Sequence, residues 1–140
     1  FRTEDGEINP DCDIKLEGYG GLMSEINSFI GTKQMLDLEH LLEVQKCNAQ
    51  NWSQIISKLK DVKPIPLNSL SEPNYWVYGI LSEDKKSCIK YFKSKGYHAT
   101  SVHINNNIYS IFNNKSSLKG VKEFTEKFLA IPSGWWVNLF

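Results

Sequence analysis

Leu22, Ile26, Phe29 and Ile30 fall at i, i+4, i+7 and i+8, which puts them on one face of a helix, and Gly31 is expected to end it with a left-handed stop. A second helix is predicted over 34–46, where Leu38, Leu41, Leu42 and Gln45 stack. Asn51 then caps a third, with Gln54 three residues on as in a capping box and Trp52, Ile55, Ile56 and Leu59 facing inward. The span VKPIPLNSLSEP holds three prolines, which exclude a helix and suit an extended edge strand and linker. From Asn74 the period changes. NYWVYGIL reads as a buried strand, and SEDKKSCIKYFKSKG as a helix capped by Ser82 and stopped at Gly96. YHATSVHI and NIYSIFN read as a hairpin turning at 105–107. SLKGVKEFTEKFLAI is an amphipathic helix expected to bury Leu118, Val121, Phe124 and Phe128, and GWWVNLF is expected to close the chain as a strand.

The pattern predicts an α+β fold: a helical N-terminal half packed on an antiparallel sheet, followed by a C-terminal β-α-β-β-α-β order. Residues 1–15, polar and acidic around Pro10, are expected to form an extended arm, and 16–140 a single domain.

Composition narrows the function classes. At 140 residues, 41% hydrophobic and 12% aromatic, the chain has the make-up of one globular domain. Lysine plus arginine equals aspartate plus glutamate, at 16 each, so no overall basic field draws the chain to nucleic acid or an anionic membrane. The lysines of KKSCIKYFKSK read as a solvated helix face. No apolar run has the length of a membrane span and no signal peptide opens the chain, which starts at Phe1 and so reads as a fragment or processed product. The three cysteines, Cys12, Cys47 and Cys88, lack CxxC spacing and indicate a reducing, cytoplasmic compartment. No metal-ligand cluster or phosphate loop is present, so neither metal nor cofactor is expected. The expected partner is a protein, as substrate or as ligand.

Candidate chemistry centres on His98. A tight hairpin would bring Asn113 and Asn114, at the end of its second strand, beside His98 at the start of the first. An asparagine there can hold one ring nitrogen and fix the tautomer, as in a Cys-His-Asn site. The plainer alternative is a wet strand end with turn-forming asparagines. Cys47, between two predicted helices and ahead of His98 in the chain, is the candidate thiol. His40 and His103 read as surface residues.

The run LEGYGGLMSEI, 16–26, enters the first helix through glycines. It resembles the nucleophile segment of papain-like viral cysteine peptidases, including the OTU-like proteases, in which a Gly-Tyr-Cys or acid-Gly-x-Cys stretch opens the first core helix. WSQIISKLKDVKPIPL resembles the helix and strand that follow in OTU-like domains, and HATSVHINNNIYSIFNN resembles their histidine-bearing hairpin. The resemblance spans about 18–114. It implies a thiol peptidase acting on a peptide or isopeptide bond, in a polyprotein or a ubiquitin-like modifier, with His98 as general base and Asn113 orienting it. The nucleophile would stand at Gly20, where glycine replaces cysteine. The resemblance then implies a catalytically dead relative, an engineered knockout, or an enzyme using another thiol such as Cys47. Without it, the glycines mark a tight turn before a helix. The alternative function is a non-enzymatic binding module with a ferredoxin-like half, of a toxin-neutralising or regulatory kind.

Overall fold

The computed structural model describes residues 3–16, 18, 21, 23–113 and 116–137. Helix α1 (Glu25–Gln34) runs through a 3-10 turn (Met35–Asp37) into the long helix α2 (Leu38–Ile56). Strands β1 (Val62–Pro64) and β2 (Val77–Ser82) follow, then helices α3 (Lys85–Ser94) and α4 (Lys119–Lys127) and strand β3 (Phe128–Pro132). The three strands form an antiparallel sheet in the order β1-β2-β3, with β2 in the centre. The chain is therefore α+β.

β2 alternates as a strand with one covered face must: Tyr78, Ile80 and Ser82 are buried, while Val77, Gly79 and Leu81 are half-buried. Its register sets Tyr78 opposite Ile131 and Ile80 opposite Leu129, so four large side chains share one face. Ala49, Trp52 and Ile56 from the second half of α2 cover that face, with Phe92 of α3 and Ala99 beside them. The Trp52 ring meets Phe92 and Tyr97 edge-on, at centroid distances of 5.8 and 5.1 Å. Its indole N–H donates to the Pro132 carbonyl at 2.9 Å, which ties α2 to the end of β3.

One continuous α2 replaces the two helices expected over 34–59, and Asn51 lies inside it rather than at a cap. The polar positions that broke the apolar period are buried and satisfied. Gln45 donates to the Asn74 carbonyl at 2.8 Å, and Asn48 donates to the Gly134 and Val137 carbonyls, both at 3.1 Å. Gly31 does not stop α1 but lies within it, and Ser24 caps its start by accepting from Asn27 N at 3.2 Å.

Among the described residues the C-terminal β-α-β-β-α-β order is not formed. Thr100 makes a single bridge to Ala130, and at Val102 the backbone turns to φ 58°, a costly conformation for a β-branched residue that ends the extended run. Two 3-10 turns, Asn106–Ile108 and Ser110–Phe112, occupy the place of the expected returning strand. Asp84, not Ser82, caps α3 by accepting from Ser87 N at 3.1 Å, while Gly96 at φ 85° does terminate the helical run. α4 is shorter than expected because the backbone becomes extended at Phe128, and FLAIP is strand β3. Leu118, Val121 and Phe124 are exposed rather than buried. A turn over 134–137, closed by Val137 N on the Gly134 carbonyl at 2.9 Å, takes the place of the start of the expected last strand; 138–140 lie outside the described residues.

Ile80, fully buried, and Leu70, 92% exposed, separate core from surface. Ile80→Ala is expected to lower unfolding free energy by about 2–5 kcal/mol and Leu70→Ala by less than about 0.5 kcal/mol, read from urea midpoints at unchanged slope.

Candidate functional site

The most connected polar cluster lies where residues 3–10 cross α3. Glu7 is held there by donors from two directions. Its Oε2 accepts from Thr100 Oγ1 at 2.7 Å and from Ser101 N at 3.4 Å, and its Oε1 accepts from Lys93 Nζ at 3.4 Å. Thr100 reaches it because its backbone is pinned by two hydrogen bonds to Ala130, at 3.0 and 2.8 Å. Partial burial pushes the Glu7 carboxyl up. The hydrogen bonds from Thr100, Ser101 and Lys93, with the Lys93 charge, outweigh that and hold it below the usual carboxylate range. Further along, Asp13 accepts from both the backbone N and the hydroxyl of Ser110, at 2.8 and 2.9 Å, and is likewise held low.

A cleft of about 810 Å³ opens beside Glu7, between residues 3–10, α3 and the end of α4. Lys85 stands in its wall. Burial pushes the Lys85 ammonium down, the charge of Glu7 only partly opposes this, and its Nζ donates to the Thr125 carbonyl at 2.8 Å. These groups are committed to one another. Glu7 takes three donors and is a clip for the N-terminal segment rather than a free base. Nothing local marked it in the sequence: it is one of several acids in a polar stretch, and its partners lie more than 80 residues away. Among the described residues, no group of histidine, cysteine and carboxylate side chains has the arrangement of a metal site.

Among the described residues, no hydrogen bond joins His98, Asn113 and Cys47 to one another. His98 is exposed. Asn113 is an exposed left-handed residue at φ 42° whose backbone N closes the 3-10 turn on the Ser110 carbonyl at 3.0 Å. Its conformation serves that turn, and the hairpin that would have carried it to His98 is absent. Cys47 is exposed on α2, not in a helix–helix turn, with the Asn51 amide 4.0 Å from its Sγ. Gly20 lies outside the described residues, as does Asn114.

No protein-family model matches the chain, and no curated protein does. Solved structures do. The sugar aminotransferase CalS13 from Micromonospora echinospora superposes with a TM-score of 0.77 at 22% identity, over 87% of this chain and 33% of that one. Helicobacter pylori PseC, an aminotransferase involved in the biosynthesis of pseudoaminic acid, gives a TM-score of 0.70 at 21% identity over 97% and 40%. DesV from S. venezuelae, solved in complex with a ketimine intermediate, gives 0.72 at 12% identity over 97% and 38%. The chain has the fold of part of a sugar aminotransferase.

It spans about a third of the length of the structures it matches. The likeness overturns the papain-like and OTU-like resemblance, and with it the expected viral-type peptidase or other hydrolase activity. The expected non-enzymatic binding module with a ferredoxin-like half has no support in these neighbours either, and the sheet has three strands among the described residues where that module needs four. Among the described residues no helix is long and apolar enough to cross a membrane.

Because the Glu7 carboxyl titrates lower in the folded chain than its ordinary 4.5, its contribution to stability is present above that value and is lost as pH falls through the folded pKa. Glu7→Gln is expected to flatten this acid limb, measured as urea midpoint against pH. Thr100→Val is expected to move the Glu7 carboxyl back up in an NMR titration; an unmoved carboxyl would remove Thr100 from the network.

Proposed function

We propose that this chain is part of an enzyme that transfers an amino group from an amino acid to a keto sugar, with pyridoxal phosphate as cofactor. The observation that carries this reading is the fold likeness to several sugar aminotransferases over 87–97% of the chain. In such a transfer the donor's whole amino group and one further hydrogen pass to the sugar's carbonyl carbon, and the donor leaves as a 2-oxo acid carrying the oxygen.

A pyridoxal phosphate site needs a lysine amine for the cofactor's aldehyde, a partner for the ring nitrogen and donors for the phosphate. The residues described here do not fit that group. The Lys85 amine is turned to the Thr125 carbonyl, and the Glu7 carboxylate is taken by Thr100, Ser101 and Lys93. In this proposal the cofactor is held by the part of the fold that this chain does not span, and no chemical step is assigned to Lys85 or Glu7. Glu7 fixes the N-terminal segment against α3, and Lys85 ties α3 to the Thr125 carbonyl of α4.

The test supplies a protein carrying this chain with pyridoxal phosphate, amino acid donors labelled at the amino nitrogen, and a panel of keto sugars. Mass spectrometry is expected to find the label in the sugar, with one 2-oxo acid formed per amino sugar. A folded protein that binds the cofactor yet passes label to none of the sugars would overturn the proposal. Transfer by the 140-residue chain alone would overturn the placement of the cofactor.

A further inference from the structure

We propose that residues 3–16 form a strap that docks and lifts as one unit, held by carboxylate clips at Glu7 and Asp13, and that lifting it removes one wall of the cleft beside α3. No residue of this segment belongs to the core; Ile8, Cys12 and Ile14 are only half-buried. Its ties to the rest of the chain are polar. At one clip Glu7 takes the Thr100 hydroxyl, the Ser101 N–H and the Lys93 ammonium. At the other, Asp13 takes the N–H and the hydroxyl of Ser110, and the Ile14 carbonyl accepts from Ile111 N at 3.2 Å. The receiving groups are fixed without the strap. Thr100 is bonded twice to Ala130, Lys93 stands on α3, and the Ser110 carbonyl accepts from Asn113 N at 3.0 Å. The strap is therefore able to leave while the core and its anchors stay formed.

Two local turns make the segment a unit. Thr3 N donates to the Glu7 carbonyl at 2.9 Å and Glu7 N to Thr3 Oγ1 at 3.1 Å, around Gly6 at φ 81°. Asn9 then accepts from Asp11 N on its side chain, at 2.9 Å, and from Cys12 N on its carbonyl, at 3.3 Å. Pro10, whose ring fixes φ, sits inside this second turn. The chain between the clips thus has little slack, and freeing one weakens the other. Thr3, Asp5, Glu7, Ile8 and Pro10 supply the strap's side of the cleft, so the cleft lasts only while the strap is docked.

Charge decides what lifts it. Across the cleft Glu7 faces the ammonium groups of Lys85, Lys86, Lys90 and Lys93 on α3, with the carboxylates of Asp5, Glu83, Asp84 and Glu126 around them. Asp13 has Lys15 beside it. In acid the lysines keep their charge and the carboxylates lose theirs, so nothing ionic remains to hold the strap to α3. Partial burial pushes the Glu7 carboxyl up and its donors outweigh that, while the Ser110 bonds lead at Asp13. Both therefore titrate below their ordinary 4.5 and 3.8. What the clips contribute is present above those values and is lost as pH falls through the folded ones. The strap stands independently of the aminotransferase reading.

Amide hydrogen exchange of the 140-residue chain, followed residue by residue by NMR and corrected for the intrinsic rate, is the test. Ser101 N reports the Glu7 clip, Ser110 N and Ile111 N report the Asp13 clip, and Thr100 N and Ala130 N report the core. Near neutral pH, Glu7→Gln is expected to lower protection about tenfold at Ser101 and by the same factor at Ser110 and Ile111. Asp13→Asn is expected to do the same at all three. Thr100 and Ala130 keep their protection in both variants. In the parent chain, falling pH is expected to release the three strap amides together, and in the double variant this acid step is lost. Asp11→Asn, which removes an exposed acid between the clips, is expected to leave every amide unchanged. Variants that each loosen only their own clip would overturn the single unit. Loss of protection at Thr100 and Ala130 in step with the strap amides would overturn lifting on an intact core. A release by Asp11→Asn as large as that by Asp13→Asn would overturn the clips themselves.

Discussion

The structure depends on Trp52 more than on any other side chain. Its ring is 2% exposed and sits between the sheet and α3, where Phe92 and Tyr97 present their edges to it. Its single polar atom is spent on the carbonyl that ends β3. One residue thus joins the long helix, the short helix and the last strand, elements that are far apart in the chain. The same helix turns supply the other ties. Ser53 shares a hydrogen bond with the Tyr78 hydroxyl at 2.8 Å, and Asn48 holds the turn after β3 by two carbonyls. Among the described residues, no buried side-chain polar atom lacks a partner, so this polar layer stiffens the core without an unpaired group.

α2 divides at Gln45. Beyond it the helix is a core element with Ala49, Trp52 and Ile56 facing the sheet; before it every residue is exposed or only partly covered. Carrying apolar side chains past the end of the core they would pack on is the behaviour of a helix that continues into an interface. Met35 and Leu36 keep that surface apolar through the 3-10 turn. The C-terminal part of the fold shows a second uncovered region, where Leu118, Val121 and Phe124 of α4 face outward. A chain that spans a third of the aminotransferases it resembles in fold would be expected to leave such faces open.

Legibility in the sequence followed how local each cause is. β2 could be read because the alternation from Val77 to Ser82 is set by one sheet face, and the α3 stop could be read because Gly96 takes a positive φ. The single α2 could not, because Gln45 and Asn48 look like surface residues until the carbonyls of Asn74, Gly134 and Val137 are brought to them. The false hairpin came from alternation in YHATSVHI, which is real up to Thr100 and then ends at Val102. The glycines before α1 suggested an active-site elbow by their spacing alone, a weak signal because glycine serves any tight turn. Glu7 was invisible for the opposite reason: its partners come from Lys93, Thr100 and Ser101, and no spacing within the segment encodes them.

The Glu7 cluster and the Thr100–Ala130 bridge are one device seen from two sides. Thr100 gives its backbone to β3 and its hydroxyl to Glu7, so the residue that extends the sheet edge also anchors the N-terminal segment. Lys93 adds a charge from α3, and Lys85 closes the other end of the same helix onto the Thr125 carbonyl of α4. α3 is thereby tied at both ends by ammonium groups, while Phe92 packs its inner face into the core. An element fixed in this way holds its position whether or not the cleft beside it is filled. The cluster is therefore better suited to fixing the N-terminal segment, α3 and α4 in place than to moving protons itself.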